Sequence, residues 1–425
     1  MSHAVEIRDP IHGAIPLTAD ELSVANSRWL QRLRWIRQTG FSELAFPGAT
    51  HSRFLHSLGV MHLAGQAFDR AYADFAFADP TARDRFRQAV RLAALCHDVG
   101  HGPFSHCMEF CMPQLGELGI SWRRTNDGRQ ATHEDYTVAI LERTELRDII
   151  DASFAGTARH VAALIDHGVR PDDDFFRDRG LDHRRCLSQI VSSEMDVDRM
   201  DYLVRDAVFT GARYGQVDVN WLLSNLGTYV VDGSVALAID GRAVYAVDHF
   251  LLARHHMFLM VYLHHKSVIF EELLRRYVSS PDAGWSLPAD LDAYHRIDDP
   301  NLMEHLRSSP HPLARRVVER RPYRRVRERH GTAHTSRLDR EEEQLREAGI
   351  DVVASSSIGR LSRYEKFGSK RRRAAPIYVL DTMGGGRPRP LRDATQVFER
   401  YADERVIRRL YVPPEDLDRA KELLG

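Results

Sequence analysis

The chain has 425 residues, of which 43% are hydrophobic and 28% charged, and its formal net charge at pH 7 is -1. Such a length allows a large buried core, enough for one main domain and a smaller lobe. The small net charge argues against a nucleic-acid-binding protein that is basic throughout. The N-terminus lacks the apolar core of a signal peptide, and no apolar run in the sequence is long enough to span a bilayer. We therefore predict a soluble cytoplasmic protein.

The predicted elements begin with two short strands in residues 4–17, around a Pro and Gly turn. Residues 29–40 have the apolar spacing of a helix, with Gly40 as its C-cap. Two further helices are predicted over residues 52–75 and 83–100, and helices continue through residues 133–225.

Residues 230–248 alternate apolar and polar side chains around two Asp-Gly pairs, which predicts a short β-meander. A long amphipathic helix is predicted over residues 247–278. Beyond it, the sequence mixes helices with strands at 350–356, 376–381 and 406–412. We therefore predict a mainly α fold, with a helical core domain over residues 1–280 and a C-terminal α+β lobe over residues 281–425.

The adjacent His97 and Asp98 offer one nitrogen and one oxygen ligand, a mixture that suits iron, manganese, zinc or magnesium better than calcium. Seen alone, the pair could also be structural, although a functional role is favoured. With His56 and Asp198 the sequence supplies four ligands, and such a site can polarise a phosphoryl oxygen or generate hydroxide.

The segment around Asp198 repeats polar residues at intervals of three or four, which places them on one face of a helix. That face could be a solvated surface or part of a site.

Four cysteines, Cys96, Cys107, Cys111 and Cys186, show no CxxC spacing, so we expect no disulfide framework. Cys107 and Cys111 lie near the histidines and could indicate a second metal. Buried apolar thiols are the favoured interpretation.

The order His56, His97-Asp98, Asp198 resembles the H…HD…D motif of the HD-domain phosphohydrolase superfamily. DPIHG, FPGATHSRFLHSLGV, CHDVGHGPFSH, THEDY and DVDRMDYLVRD are similar to segments of its deoxynucleoside triphosphate triphosphohydrolase branch. The resemblance covers roughly residues 5–280, and the C-terminal lobe matches more loosely. A human member of this branch carries an additional sterile-alpha-motif domain. This chain begins almost at DPIHG, so we expect no such domain here.

The resemblance implies an HD-domain helical core that hydrolyses dNTPs to a deoxynucleoside and inorganic triphosphate. It implies one divalent metal (Mn, Fe, Mg or Zn) on His56, His97, Asp98 and Asp198, and leaves a second ion open. The implied catalytic residues are His101, His106, His133 and Glu134, with His106 as general acid. The implied substrate residues are Gln38, Arg53, Arg199, Tyr202, Asp206, Arg254, Tyr262 and His265, and the role of His264 versus His265 stays open.

The resemblance also implies a homodimer or homotetramer, and a dNTP or GTP activator bound by Asn26, Gln31 and Arg34. Asn26 replaces an aspartate of the human enzyme, and an amide cannot accept from two guanine N–H groups as a carboxylate does. Guanine selectivity is therefore doubtful. Thr39 replaces a leucine and would alter the sugar pocket.

Two alternatives stay open. The protein could be an HD phosphohydrolase for another nucleotide (NMP, ribonucleotide or signalling nucleotide), or a non-catalytic nucleotide-sensing or nucleic-acid-binding protein. The Arg-rich segments 315–329 and 369–375 allow weak, salt-sensitive nucleic-acid binding. Subunit contacts or an anionic effector site in the C-terminal lobe are favoured.

Overall fold

The computed structural model describes residues 5–122, 128–331, 336–359, 375–381, 386–400 and 405–425. The helices are α1 (Ala19–Ala25), α2 (Arg28–Arg32), α3 (Arg53–Ala71), α4 (Pro80–Cys96), α5 (His133–Arg143), α6 (Glu145–Ser153), α7 (Ala158–Ile165), α8 (Arg184–Val191), α9 (Val197–Thr210), α10 (Val219–Ser224), α11 (Val244–Met257), α12 (His265–Val278), α13 (Leu291–His295), α14 (Asp299–Ser308), α15 (Pro312–Val318), α16 (Ser336–Glu347), α17 (Val397–Arg400) and α18 (Leu417–Leu424).

The strands are β1 (Val5–Asp9), β2 (Gly13–Leu17), β3 (Arg177–Asp178), β4 (Leu181–Asp182), β5 (Leu226–Val231), β6 (Ser234–Asp240), β7 (Arg324–Gly331), β8 (Val353–Gly359), β9 (Tyr378–Leu380), β10 (Arg389–Pro390) and β11 (Arg405–Val412). The mainly α fold, with small antiparallel sheets and a C-terminal α+β region, is confirmed.

Three helices lie against one another in the core and carry the candidate metal ligands. α3 contacts both α4 and α9. α4 begins after the side-chain cap Asp79 and ends at the cap residue His97. α9 is capped by Asp196 and is followed by Gly211 in the left-handed region, with a φ of 72°. These caps fix the end of α4 that precedes Asp98 and the start of α9, which carries Asp198.

The close approach of α3 and α9 depends on Gly59. A Cβ atom here would lie 2.0 Å from Oδ1 of Asp201 and 2.4 Å from Nη2 of Arg205. Asp201 and Arg205 are fully buried and hydrogen-bonded to each other, so neither can move aside. A side chain at this position would push the two ligand-bearing helices apart.

Two hairpins form where the sequence pattern predicts strands. β1 pairs with β2, and β5 pairs with β6 around Asp232-Gly233, whose positive φ angles are typical of a type I′ turn. The second Asp-Gly pair does not start another strand, because a 3-10 turn over Gly241–Ala243 leads directly into α11. The predicted meander is therefore a hairpin, and β9 from the C-terminal region pairs with β6 in parallel.

The helix predicted over residues 247–278 is interrupted. α11 is followed by a π-helix over Phe258–Tyr262, and α12 begins only at His265. π-helical turns are frequent at functional sites. This one places Tyr262 in the cavity described below.

The helix predicted over residues 29–40 ends early. α2 stops at Arg32, and a 3-10 turn over Leu33–Trp35 follows. Arg37 then forms an isolated β-bridge with Ser52, which draws the chain out of the helical path. Gly40 therefore opens a new 3-10 turn instead of capping α2.

The C-terminal region forms an antiparallel sheet with strand order β7-β11-β8. An apolar cluster that includes Leu345, Leu410 and Ala420 joins α16 and α18 to it. Several arginines of segment 315–329 are paired with acids, as Arg329 is with Glu341 at 3.0 Å. Most of the other Arg-rich segment, residues 369–374, lies outside the described residues. Across the described ranges, no helix combines the length and apolar character needed to cross a bilayer.

Candidate active site

The four predicted metal ligands come together beside α3, α4 and α9. Nε2 of His56 lies 3.0 Å from Oδ1 of Asp198, and Nε2 of His97 lies 3.7 Å from the same oxygen. Asp98 places one oxygen 3.3 Å from Nε2 of His97 and the other 3.6 Å from Nε2 of His56. Both Nε2 atoms are buried, and each faces the carboxylates of Asp98 and Asp198. His56, His97 and Asp198 place ligand-type atoms within 4.8 Å of one another. With Asp98 beside this group, the two imidazoles and two carboxylates suit a divalent ion.

Hydrogen bonds on the far side of each ring orient these ligands. Nδ1 of His97 lies 2.7 Å from the carbonyl oxygen of Ala94, to which it can only donate. Nδ1 of His56 lies 2.7 Å from Oδ2 of Asp201. A neutral ring that donates from Nδ1 keeps its lone pair on Nε2. Both histidines are therefore held in the tautomer that binds a metal.

The charges of this group stabilise one another. Burial lowers the pKa of His56, but hydrogen bonds to Asp198 and Asp201 outweigh it and raise that pKa to about 10. Burial raises the pKa of Asp198, yet the hydrogen bonds and charges of His56 and His97 hold it below its usual value. A bound cation would replace the proton on Nε2, so metal binding would release protons.

A buried network behind His56 does not belong to the predicted site. Asp201 accepts a hydrogen bond from His56 and lies 2.6 Å from Nε2 of His12. Arg205 donates to both oxygens of Asp201 and to Asp9. Asp9 and His12 belong to the DPIHG segment, so the network ties the β1-β2 hairpin to the metal ligands. The i, i+4 spacing of Asp201 and Arg205 was the available sequence signal.

Arg53 lies beside the ligands with its side chain buried. Its Nη1 contacts Asp98, and its Nε donates to Oγ of Ser105 at 2.7 Å. Burial raises the pKa of Asp98, but the charges of Arg53 and His97 hold it well below its usual range. Arg53 also lines the cavity described below, where it can reach a bound anion.

The three predicted catalytic histidines cluster next to the metal ligands. The rings of His101 and His133 stack, with centroids 3.8 Å apart and planes inclined by 13°. His106 meets these two rings edge-on, at 4.7 and 5.1 Å. Nε2 of His101 lies 3.3 Å from Asp98, which connects this cluster to the metal ligands. Burial and the charge of Arg53 lower the pKa of His101 well below its usual range, so this ring is neutral.

Glu109 is the carboxylate that contacts these rings. Its Oε1 lies 2.9 Å from Nδ1 of His106 and is also hydrogen-bonded to Nδ1 of His133. Burial raises the pKa of Glu109, but these two hydrogen bonds outweigh it and hold the pKa well below its usual value. The predicted Glu134 is exposed and lines the same cavity. The sequence signal for Glu109 was its position three residues after His106.

The same four residues, His101, His106, Glu109 and His133, place ligand-type atoms within 4.8 Å of one another. The nearly parallel rings of His101 and His133, however, direct their nitrogen lone pairs side by side instead of toward a common point. Oε1 of Glu109 already accepts from two imidazoles. A hydrogen-bonded relay therefore explains this cluster better than a second metal ion.

The cysteines are free thiols. Burial raises the pKa of Cys96 and Cys186 to about 12. Cys107 lines the cavity, but neither it nor Cys111 belongs to a metal-type group within the described ranges. Their environments fit apolar packing.

A cavity of about 430 Å³ opens beside the metal ligands, a size usual for small-molecule sites. Gln38, Tyr202, Asp206 and Tyr262, all predicted to contact the nucleoside, line it. The hydroxyl of Tyr262 donates to Asp206 at 2.7 Å, and Nε2 of His51 lies 2.7 Å from the other oxygen of Asp206. Oε1 of Gln38 is buried and makes no hydrogen bond within the described residues. This part of the cavity can therefore recognise a sugar hydroxyl.

Arg199 and Arg254 line the same cavity and are largely buried. Arg199 contacts Asp196, and Arg254 lies 3.9 Å from Glu194. Together with Arg53 they place three guanidinium groups around one cavity. Guanidinium groups match the geometry of phosphate oxygens.

Other predicted residues lie elsewhere. His265 is not among the described residues that line the cavity, and it lies close to Arg325. Asn26 follows α1 as its C-cap, Gln31 lies on α2, and Arg34 lies in the 3-10 turn Leu33–Trp35. Nε of Arg34 donates to Oε1 of Gln31 at 2.7 Å. The effector residues are therefore near one another and separate from the metal ligands.

Comparison with known proteins identifies the family. Residues 53–206 match the HD domain, and residues 217–359 match the HD associated region. The chain therefore belongs to the HD-domain phosphohydrolases, which confirms the resemblance found in the sequence.

Individual relatives agree with this assignment. The uncharacterized protein MJ1154 of Methanocaldococcus jannaschii is 30% identical over 320 residues, which cover 75% of this chain and 59% of that protein. The deoxynucleoside triphosphate triphosphohydrolase SAMHD1 homolog of Dictyostelium discoideum is 30% identical over 261 residues, which cover 61% of this chain and 46% of that protein. This chain thus spans less than two thirds of either relative.

The crystal structure of a hypothetical protein from Aquifex aeolicus shares the fold. It has a TM-score of 0.74 and 24% identity, and the match covers 99% of this chain and 100% of that one.

Proposed function

We propose that the protein is a metal-dependent dNTP triphosphohydrolase that releases a deoxynucleoside and inorganic triphosphate. One observation carries the proposal: the cavity beside the metal-type ligands is also lined by three arginines and by the polar and aromatic side chains of Gln38, Tyr202, Asp206 and Tyr262. The similarity to the Dictyostelium protein, which bears that activity in its name, adds support.

In the proposed reaction, water attacks the α-phosphorus and the bond to the 5′-oxygen breaks. A bound divalent ion supplies Lewis-acid activation of the phosphoryl oxygen and of water. Arg53, next to the ligands, stabilises charge on the α-phosphate, while Arg199 and Arg254 hold the distal phosphates. His106 donates a proton from Nε2 to the leaving 5′-oxygen, and Glu109 accepts the hydrogen bond from its Nδ1.

The sugar subsite accounts for selection of the deoxy form. Gln38, Tyr202 and Asp206 contact the 3′-hydroxyl, and the ring of Tyr262 packs against the sugar where a ribose would carry its 2′-hydroxyl. The hydrogen bond from Tyr262 to Asp206 fixes that ring. A bulky ring held in this way excludes the extra oxygen by steric contact.

The same proposal includes three features that stand on the resemblance. Mn, Fe, Mg or Zn would each suit the two-nitrogen, two-oxygen ligand set. A dNTP or GTP activator would bind at Asn26, Gln31 and Arg34. Residues 281–425 would form a lobe that makes the contacts of a homodimer or homotetramer.

The test measures triphosphate and deoxynucleoside released from each dNTP, singly and in pairs, with metal content determined on the same sample. We expect triphosphate from the wild-type protein and none from Asp198→Ala. Release of inorganic phosphate, or turnover only of NMPs, ribonucleotides or signalling nucleotides, would instead identify another phosphohydrolase. Binding without turnover would indicate a non-catalytic protein. If the wild-type protein hydrolyses dNTPs only in mixtures, and Arg34→Ala loses that activity, the activator binds at the site that contains Arg34.

A further inference from the structure

Asp299 connects the C-terminal part of the chain to the catalytic cavity. It is the first residue of α14 and only 5% exposed. Its Oδ1 accepts a hydrogen bond from the backbone N–H of Phe104 at 2.7 Å, and its Oδ2 accepts one from the N–H of Arg37 at 3.0 Å. Phe104 and Arg37 belong to two separate loops. Phe104 itself lines the cavity, and Arg37 directly precedes the lining residues Gln38, Thr39 and Gly40.

The loop that contains Phe104 needs such a restraint. Phe104 and Ser105 have φ angles of 51° and 62°, in the left-handed region that residues with a Cβ seldom adopt. Strained backbone of this kind persists only where the surroundings hold it in place. The carboxylate of Asp299 provides one contact that does so, because it satisfies the buried N–H of Phe104.

The restraint extends to the phosphate-binding arginine. Oγ of Ser105 donates to the carbonyl oxygen of Arg37 at 2.5 Å and accepts from Nε of Arg53 at 2.7 Å. Asp299 therefore holds both loops, and Ser105 links them to each other and to Arg53.

We propose that Asp299 is a positioning residue, which sets the placement of Arg53 relative to the metal ligands and the sugar subsite by joining the backbones of Arg37 and Phe104. The inference rests on the proposed function in that the cavity binds a nucleotide. It also assigns to the HD-associated region, which contains Asp299, a part in the chemistry of the HD domain.

A carboxylate is required because both donors must be satisfied. Asparagine has one acceptor oxygen, and its amide N–H₂ would face one of the two backbone N–H groups. One loop would then lose its hydrogen bond while the side-chain volume stayed the same. Asp299→Asn is therefore the decisive variant, and Asp299→Glu, which keeps two acceptor oxygens, is the conservative rescue.

Asp298 provides a matched control on the adjacent position. It caps α14 by accepting from the N–H of Asn301 at 2.9 Å. Asparagine caps helices about as well as aspartate. Asp298→Asn therefore makes the same chemical change next to Asp299 without touching either cavity loop.

Activity gives the first readout. In Asp299→Asn we expect kcat per folded molecule to fall about 10–100-fold, because a displaced catalytic group costs rate far more than its distance suggests. KM should change by less than about threefold, since Arg199 and Arg254 still bind phosphates. Metal content should stay at the wild-type value, Asp299→Glu should recover part of kcat, and Asp298→Asn should match wild type. An unchanged kcat in Asp299→Asn, or an equal loss in Asp298→Asn, would overturn the proposal.

Hydrogen exchange gives a second readout that does not depend on turnover. Peptides that contain Arg37 or Phe104 should exchange faster in Asp299→Asn and at the wild-type rate in Asp298→Asn. Unchanged exchange in both peptides would refute the positioning role whatever the enzyme hydrolyses. Faster exchange in a protein that turns over no nucleotide would support the positioning of the loops and reject the proposed function alone.

Discussion

Replacing Asp201 by asparagine should separate the support of the metal site from metal binding itself. Asp201 is fully buried and is hydrogen-bonded to His12, His56 and Arg205. An asparagine amide can donate to Nδ1 of His56, which then becomes an acceptor. The ring proton would move to Nε2, the nitrogen that faces Asp198 and would bind the ion.

We expect Asp201→Asn to lower both the unfolding free energy and the affinity for the metal, by different amounts. Removing one partner from a buried ion pair costs about 3–5 kcal/mol. Arg205 keeps Asp9 at 2.8 Å, so we expect the lower end, about 3 kcal/mol of unfolding free energy. Loss of a residue that orients a metal ligand lowers metal affinity about 10–100-fold, which equals about 1.4–2.7 kcal/mol of binding free energy.

Urea unfolding in the presence of a chelator measures the first effect, and calorimetric titration with Mn²⁺ measures the second. Asp198→Asn is the matched control, because it makes the same change one helical turn away on a side chain that is 32% exposed. This control should lose metal binding, and its unfolding free energy without metal should fall by less than that of Asp201→Asn, because the Asp198 carboxylate is partly exposed to water. If Asp201→Asn unfolds at the wild-type urea concentration and binds Mn²⁺ with unchanged affinity, the argument from the buried network is wrong.

Smaller perturbations test other parts of the structure. Gly59→Ala should lower the unfolding free energy by about 3 kcal/mol, because its Cβ would meet a buried ion pair at 2.0 Å. The control in the same urea assay is Gly227→Ala, whose Cβ would have its nearest neighbour at 3.6 Å. Equal stability of the two variants would contradict the prediction. Iodoacetamide should label Cys96 and Cys186 only after unfolding, since burial raises the pKa of both thiols to about 12. Labelling is followed by mass spectrometry, and rapid labelling of the native protein would contradict this prediction. Burial raises the pKa of Asp299 from 3.8 to about 6, so the folded state binds this proton more tightly than the unfolded state. The stabilisation is complete below about pH 4 and is lost as pH rises through 6. Relative to Asp299→Asn, wild type should lose about 3 kcal/mol of unfolding free energy over this range, and parallel pH profiles would refute this.

The candidate metal ligands could be predicted from sequence because local signals determine where each residue lies. His56 falls inside an apolar helical pattern, and His97-Asp98 falls at the end of another. Asp198 follows its helix cap by two residues. Helical periodicity then directs these side chains to faces that must pack together to bury the apolar residues between them.

Residues whose role depends on distant contacts could not be found in this way. Asp299 meets the N–H of Phe104 across 195 positions of sequence, and nothing local distinguishes it from the capping Asp298 beside it. Likewise, the periodicity around Tyr262 is helical, and the π-helical turn that brings its hydroxyl to Asp206 is set by tertiary contacts. Glu109 lies three residues beyond the CHDVGHGPFSH segment, and only the fold shows that it contacts His133 as well as His106.

The unit that organises the metal site is larger than the HD domain itself. The HD match covers residues 53–206 and contains all four ligands. His56, however, is oriented by Asp201, and Asp201 is held in turn by His12 and by the Arg205–Asp9 pair from the N-terminal hairpin. On the other side, Asp299 of the HD-associated region accepts a hydrogen bond from Phe104, which has a left-handed backbone and lies in the loop next to the candidate catalytic histidines. A buried carboxylate and left-handed residues both cost stability, and a fold retains them where they fix the geometry of a site. The segments on both sides of the HD domain therefore take part in the candidate site, because one helps to orient His56 and the other holds the loop that contains Phe104 and Ser105.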